Sequence, residues 1–99
     1  MNDPDTKELV FAYTSLLPEV TLRPGLRMSV WAEEDVPAYC MPCEFQQVTD
    51  GPARVEVRVL ALDPAGRVSK DLVGRAFSFG HPGRIVGHGL LLAVLLEAE

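Results

Sequence analysis

Cys40-Met41-Pro42-Cys43 holds the only two cysteines of the sequence, spaced as metal ligands or a redox pair would be. Zinc wants four ligands, commonly two such pairs or one pair with two histidines. The only histidines are His81 and His88, about forty residues downstream and seven apart. A turn and a strand would carry them, which makes convergence on one ion awkward. Redox chemistry needs a thiol of lowered pKa, usually at a helix start beside a βαβ unit. Nothing around residue 40 supplies one. Cys40 and Cys43 therefore stand only as weak metal candidates, and the expectation is two small, mostly buried thiols with no cofactor.

Ser78, His81 and Asp71 can be written down as a hydrolytic triad, but such triads are spatial and three common residues prove nothing. No G-x-S-x-G elbow is present. Gly87-His88-Gly89 lacks the lysine and the helix start of a phosphate loop, which excludes that route to nucleotide hydrolysis. The expectation is a protein without catalysis.

Charge says more about partners. The formal net charge is −5, from nine basic and fourteen acidic side chains. That balance disfavours phosphate-backbone binding, which needs surplus Lys and Arg. Residues 1–50 carry three basic and nine acidic side chains, whereas residues 51–99 carry six and five. Glu33-Glu34-Asp35 concentrates negative charge in a stretch that reads as a loop. It is either a solvated loop or a contact surface for a basic partner. Trp31, Tyr39 and Phe45 flank it and would serve a small core or anchor a partner.

The elements that must position these residues are strands. Val55, Val57, Val59 and Ala61 alternate with Glu56 and Arg58, the period of a half-buried strand. Leu9, Phe11 and Tyr13 form another ladder, with apolar Val10 and Ala12 between them. Leu26, Met28 and Val30 form a third, with Arg27, Ser29 and Trp31 opposite. Phe77 and Phe79 flank Ser78 in a further short strand. Pro24-Gly25, Asp50-Gly51-Pro52, Asp63-Pro64-Ala65-Gly66 and His81-Pro82-Gly83 supply the turns. The apolar run Leu90 to Leu96 has no period to decide between strand and helix. Gly87 and Gly89 upstream, and the strand-rich context, favour a closing strand. Glycine within a strand marks a bulge, a bend or a close backbone approach.

Ninety-nine residues make one domain. Residues 1–7 read as an N-terminal tail and 8–97 as the domain. The start of the chain lacks the basic and apolar segments of a secretory signal. The leucine run falls short of the roughly 20 residues a membrane helix needs. A cytoplasmic setting with reduced thiols is expected.

Leu72 to Gly89 resembles the closing hairpin of the C-terminal β-barrel of elongation factor Tu. The resemblance rests on Phe77-x-Phe79, Gly83-Arg84, Val86-Gly87-x-Gly89 and the aliphatic run that follows, in that order. Val55 to Leu62 with Asp63-Pro64 is similar to the preceding family strand. Arg23-Pro24-Gly25-Leu26-Arg27 is similar to a family P-G-Y-R-P segment, with Leu26 and Met28 departing from it. The resemblance is good over residues 53–96 and thin over 8–50. It implies an all-β fold, a single small antiparallel barrel of about six strands. It also implies a face or edge that binds a macromolecule, in a translation-linked setting, without the GTPase domain. The tRNA-gripping positions of the family are altered at Gly80, His81, Pro82 and at Leu17 to Thr21.

The expected function is a non-catalytic macromolecule-binding module acting as a monomer or weak homodimer. A protein is the favoured partner, and tRNA is disfavoured by the net charge. Arg23, Arg27, Glu33, Glu34, Asp35, His81 and Arg84 are the candidate partner-binding residues. The rival readings are a metal or thiol-redox protein using Cys40 and Cys43, an RNA-binding barrel using Arg23, Arg27, Arg75 and Arg84, and an acidic inhibitor or immunity-type partner of a basic protein.

Overall fold

Alternation of apolar and polar side chains buries one face of each strand, and the strands close on themselves to hide that face completely. A computed structural model of the chain describes residues 5–97, with side chains through Leu95. The strands are β1 (Thr6–Ser15), β2 (Arg27–Ala32), β3 (Met41–Asp50), β4 (Val55–Leu62), β5 (Ala76–His81) and β6 (Arg84–Glu97). They form a closed antiparallel barrel in the order β1-β4-β3-β2-β5-β6. A single 3-10 turn, Lys70–Leu72, interrupts the connection before β5. No described helix is long and apolar enough to cross a membrane.

Two long connections join strands that lie three places apart around the ring. Residues 16–26 link β1 to β2 across one mouth, and residues 63–75 link β4 to β5 across the other. Each closes its mouth with its own apolar side chains. Leu17, Val20, Leu22 and Leu26 pack onto the core from the first, and Val68 and Leu72 from the second.

The interior is aromatic. Phe11 stacks edge-on against Phe77 and Phe79, with ring centroids 5.3 and 4.9 Å apart. Tyr13 and Phe45 complete the cluster around Phe79 at 5.2 and 5.9 Å. Such T-shaped pairs add about 0.5–1.5 kcal/mol each beyond burial. Rings of this size need open floor space, and glycine provides it. A Cβ on Gly89 would stand 2.8 Å from the Phe79 ring, and one on Gly87 would stand 2.2 Å from the Tyr13 hydroxyl. Both glycines therefore serve close approach.

The leucine run is a strand, as expected, and its lack of period has a physical cause. The register against β1 shifts between Glu8 and Leu9 and again between Val10 and Phe11, so Leu95 and Leu92 are bulge residues on β6. Bulges place Leu91 and Val94 inside at a spacing of three. They also add the local twist that closing a small barrel requires.

Two boundaries differ from the sequence reading. β1 begins at Thr6, whereas residues 1–7 were expected to be tail; residues 1–4 of that tail lie outside the described residues. His81 ends β5 opposite Arg84, leaving Pro82-Gly83 alone as the turn. β3 is a strand the periodicity did not single out. Met41, Cys43 and Phe45 alternate inward, and then a bulge at Gln46 breaks the pattern.

Candidate functional site

The outer wall over β2, β3 and β4 carries a trough of about 530 Å³. Cys43 and Ala61 point into the core, so their neighbours Pro42, Glu44, Leu60 and Leu62 must point out. Cross-strand register sets them in two rows. Thr6 faces Leu62, and Ser29 faces both Pro42 and Gly80, giving one row. Leu60 faces Glu44, which faces Arg27, giving a second row alongside. Met28 and His81 complete the lining. The floor is apolar and the rim polar, the general make-up of binding surfaces.

Arg27 is the anchor of that rim. Its Nε donates to Glu44 Oε1 at 3.1 Å, while its side chain remains 80% exposed. One edge of the guanidinium is thus fixed and the rest faces solvent. A planar fork held this way is suited to a carboxylate.

The sequence-predicted partner residues fall into two groups at opposite ends of the barrel. Arg27 and His81 meet in the trough, and Arg84 lies opposite His81 in the hairpin register. Arg23 lies in the connection that closes the same end. Glu33, Glu34 and Asp35 follow β2 at the other mouth, and each already faces a basic side chain. Glu33 Oε2 lies 3.1 Å from His88 Nδ1, Glu34 meets Arg75, and Asp35 lies 3.6 Å from Arg67. The acidic loop is strapped to the wall, with less free charge than its sequence suggests.

The same pairing pattern extends over the surface. Lys7, Arg27, Arg54, Arg58, Arg67, Arg75 and Arg84 each lie within ion-pair distance of a carboxylate. Of the nine basic residues only Arg23 and Lys70 are outside such pairs among the described residues. Binding a nucleic acid would mean exchanging existing partners at almost every cation.

The cysteines do not converge. Cys43 lies in the core, while Cys40 is half-buried before β3. Burial pushes the Cys43 thiol up to about 12, which a backbone hydrogen bond at Met28 offsets only in part. Metal ligation and redox attack both need the thiolate, so this site opposes both. Among the described residues no cluster of three His, Cys, Asp or Glu side chains could hold a metal ion.

Ser78 and His88 are opposite partners in register, but they do not form a hydrolytic relay. Ser78 Oγ lies 3.4 Å from His88 Nδ1, the same nitrogen that Glu33 approaches. A relay places the serine on one ring nitrogen and the acid on the other. Ser78 is moreover only 3% exposed.

One polar centre escaped the sequence reading, where Asp63 was a turn residue. Asp63 is 1% exposed and accepts from Lys7 Nζ at 2.8 Å, Tyr39 Oη at 2.7 Å, and the backbone N–H groups of Arg67 and Val68 at 3.0 and 2.9 Å. Burial alone would raise its pKa. The four donors, Lys7 foremost, outweigh that and hold the carboxyl below its usual range. Tyr39 in turn lies under the Arg67 guanidinium, 4.8 Å from centroid to Cζ. This network fastens the 63–75 connection over its mouth, a structural role.

Compared with known proteins, the chain matches no family model, no curated protein and no solved structure.

Proposed function

We propose that the chain is a non-catalytic protein-binding module whose trough receives an extended segment of a partner. The single observation that carries this reading is the trough itself, an open apolar floor with an anchored but exposed Arg27 at its rim. Its volume is within the roughly 300–1,000 Å³ of ligand sites, yet it is open along its length. An open trough leaves one side of an occupant in solvent, which suits a peptide chain better than a small molecule. The strands beneath it lie about 4.8 Å apart, so three strands give a floor of about 10 Å, room for roughly three extended residues. Apolar side chains on that segment would lie on Leu60, Leu62 and Pro42. An acidic side chain or terminal carboxylate would meet Arg27.

Paired cations argue against a phosphate backbone, and paired carboxylates argue against an acidic decoy of a basic protein. A translation-linked setting rests on the resemblance of the closing hairpin alone. Selection from a displayed peptide library tests the binding reading. Peptides combining apolar and acidic residues are expected, and Leu62→Lys, Ser29→Arg and Arg27→Met should each abolish or sharply weaken their capture. A library that yields no binders, or binders indifferent to these substitutions, contradicts it.

A further inference from the structure

β3 is longer than the strand beside it. It spans Met41–Asp50, but β2 pairs only with Met41 to Glu44, and the 16–26 connection bonds to Phe45 alone. The bulge at Gln46 ends that pairing, and the rest of β3 continues along β4 only. Antiparallel ladders alternate residues that bond to their partner with residues that do not. Gly51 bonds to Arg54 across the turn. Counting back from there, Thr49 and Gln47 bond to β4, while Val48 and Asp50 direct their N–H and C=O groups away from it. Among the described residues no other backbone bonds to these four groups. They form an open edge about 17 Å long in an otherwise closed barrel. Gln46, Gln47, Thr49 and Asp50 are exposed and Val48 is half-buried. The edge carries neither the proline nor the lysine that commonly blunts one.

We propose that an extended, basic segment of a protein partner adds to this edge as an antiparallel strand. Donors and acceptors in a row select an extended backbone, because only a strand satisfies them together. The side chains say which sequence. Val48 packs on the core, so the residue opposite it is apolar. Gln47 and Thr49 point outward beside a hollow of about 230 Å³, and Gln47 Nε2 donates to Thr49 Oγ1 at 3.5 Å. Their opposite numbers are therefore polar. Asp50 belongs to no ion pair among the described residues, which favours a cation opposite it. A second copy of the chain is a poorer occupant. Its own edge would bring another Asp50 and no cation, and two chains of net charge −5 repel each other. The edge also stands apart from the trough, which uses Pro42 to Glu44 of the same strand and takes an acidic group.

Amide hydrogen exchange followed by NMR tests this, with a short capped peptide of lysine, threonine, valine, threonine and valine as the probe. In the free chain the Val48 and Asp50 amides should exchange much faster than those of Gln47 and Thr49. The peptide at about 1 mM, the weak end of specific binding, should slow both about twofold or more. Methylating the nitrogen of its central valine, which faces Val48, should abolish that slowing. Methylating its threonine nitrogens, which face away, should preserve it. Asp50→Asn should weaken binding by up to about fivefold, the effect of one exposed ion pair. Arg27→Met should leave it unaltered, so failure here and failure of the trough are told apart. Val48 and Asp50 amides already protected in the free chain overturn the inference. So does protection that appears on concentrating the chain alone, which would mark a second copy on the edge. No slowing by the peptide, or equal slowing by both methylated forms, overturns it too.

Discussion

Lys7 Nζ donates to Asp63 Oδ2 at 2.8 Å, joining the first strand to a residue 56 positions later, just past the end of β4. The lysine also donates to the Val68 carbonyl, so one side chain ties β1 to the connection that closes the barrel. Asp63→Ala would leave Tyr39 and two backbone N–H groups without this acceptor and Lys7 with only the Val68 carbonyl. Removing one partner of a buried ion pair costs about 3–5 kcal/mol, and a loss of that order is expected in urea unfolding. Lys7→Met should cost less, because Asp63 keeps three donors.

The Asp63 carboxyl gives stability a direction with pH. Its folded pKa lies below the unfolded value of about 3.9, so the folded state holds the ionised form more strongly. That contribution is complete above the unfolded pKa and disappears as pH falls through the folded one. Stability measured between pH 7 and pH 2 should drop below about pH 4, and Asp63→Asn should flatten this acid limb. An unchanged limb in the variant would show that other carboxylates control it.

Cys43 should be inert in the native barrel. A thiol held near 12 has almost no thiolate at pH 8, so a disulfide-exchange reagent should modify Cys40 and spare Cys43 until unfolding. Because that folded pKa is raised, the contribution is whole below the unfolded value of about 8.5 and is lost as pH climbs towards 12. Cys43→Ala should remove the early part of any alkaline decline. Rapid labelling of both cysteines under native conditions would contradict the burial.

Tyr13 hides a hydroxyl with no hydrogen-bond partner, lying over the bare backbone of Gly87. Desolvation, with Cys43 adding to it, pushes this phenol up to about 12. Tyr13→Phe should therefore be neutral or stabilising by up to about 1–2 kcal/mol, since an unsatisfied buried group is removed. Gly87→Ala should destabilise by about 1–3 kcal/mol through overpacking. Its new Cβ would meet the Tyr13 ring and the Thr14 carbonyl, so Tyr13→Phe can rescue it only in part.

Much of this barrel was readable in the alternation of Leu9, Phe11 and Tyr13 and of Val57, Val59 and Ala61, because period two survives wherever a strand pairs without interruption. It failed at bulges. Gln46 obscured β3, and Leu92 and Leu95 left the closing run ambiguous. Asp63 was hidden for another reason. Asp-Pro at a strand exit reads as an exposed turn, and only the return of Lys7 and Tyr39 from distant positions makes it a buried anchor. The acidic loop misled in the opposite way. Glu33, Glu34 and Asp35 are adjacent in sequence, whereas the basic side chains that face them come from β6, the 63–75 connection and the entry to β5. Arg27 and His81 were picked as partner residues singly. Their meeting in one trough depends on strand order, which no local pattern encodes.

Titrating the isotope-labelled chain with an apolar peptide that carries one carboxylate, while following its backbone amides by NMR, addresses the trough most directly. Shifts should concentrate at Thr6, Arg27 to Ser29, Cys43, Glu44, Leu60 to Leu62 and His81, and should vanish in Arg27→Met. Shifts centred instead on Glu33 to Asp35 or on the β1/β6 wall, or a spectrum that does not respond at all, would contradict the account.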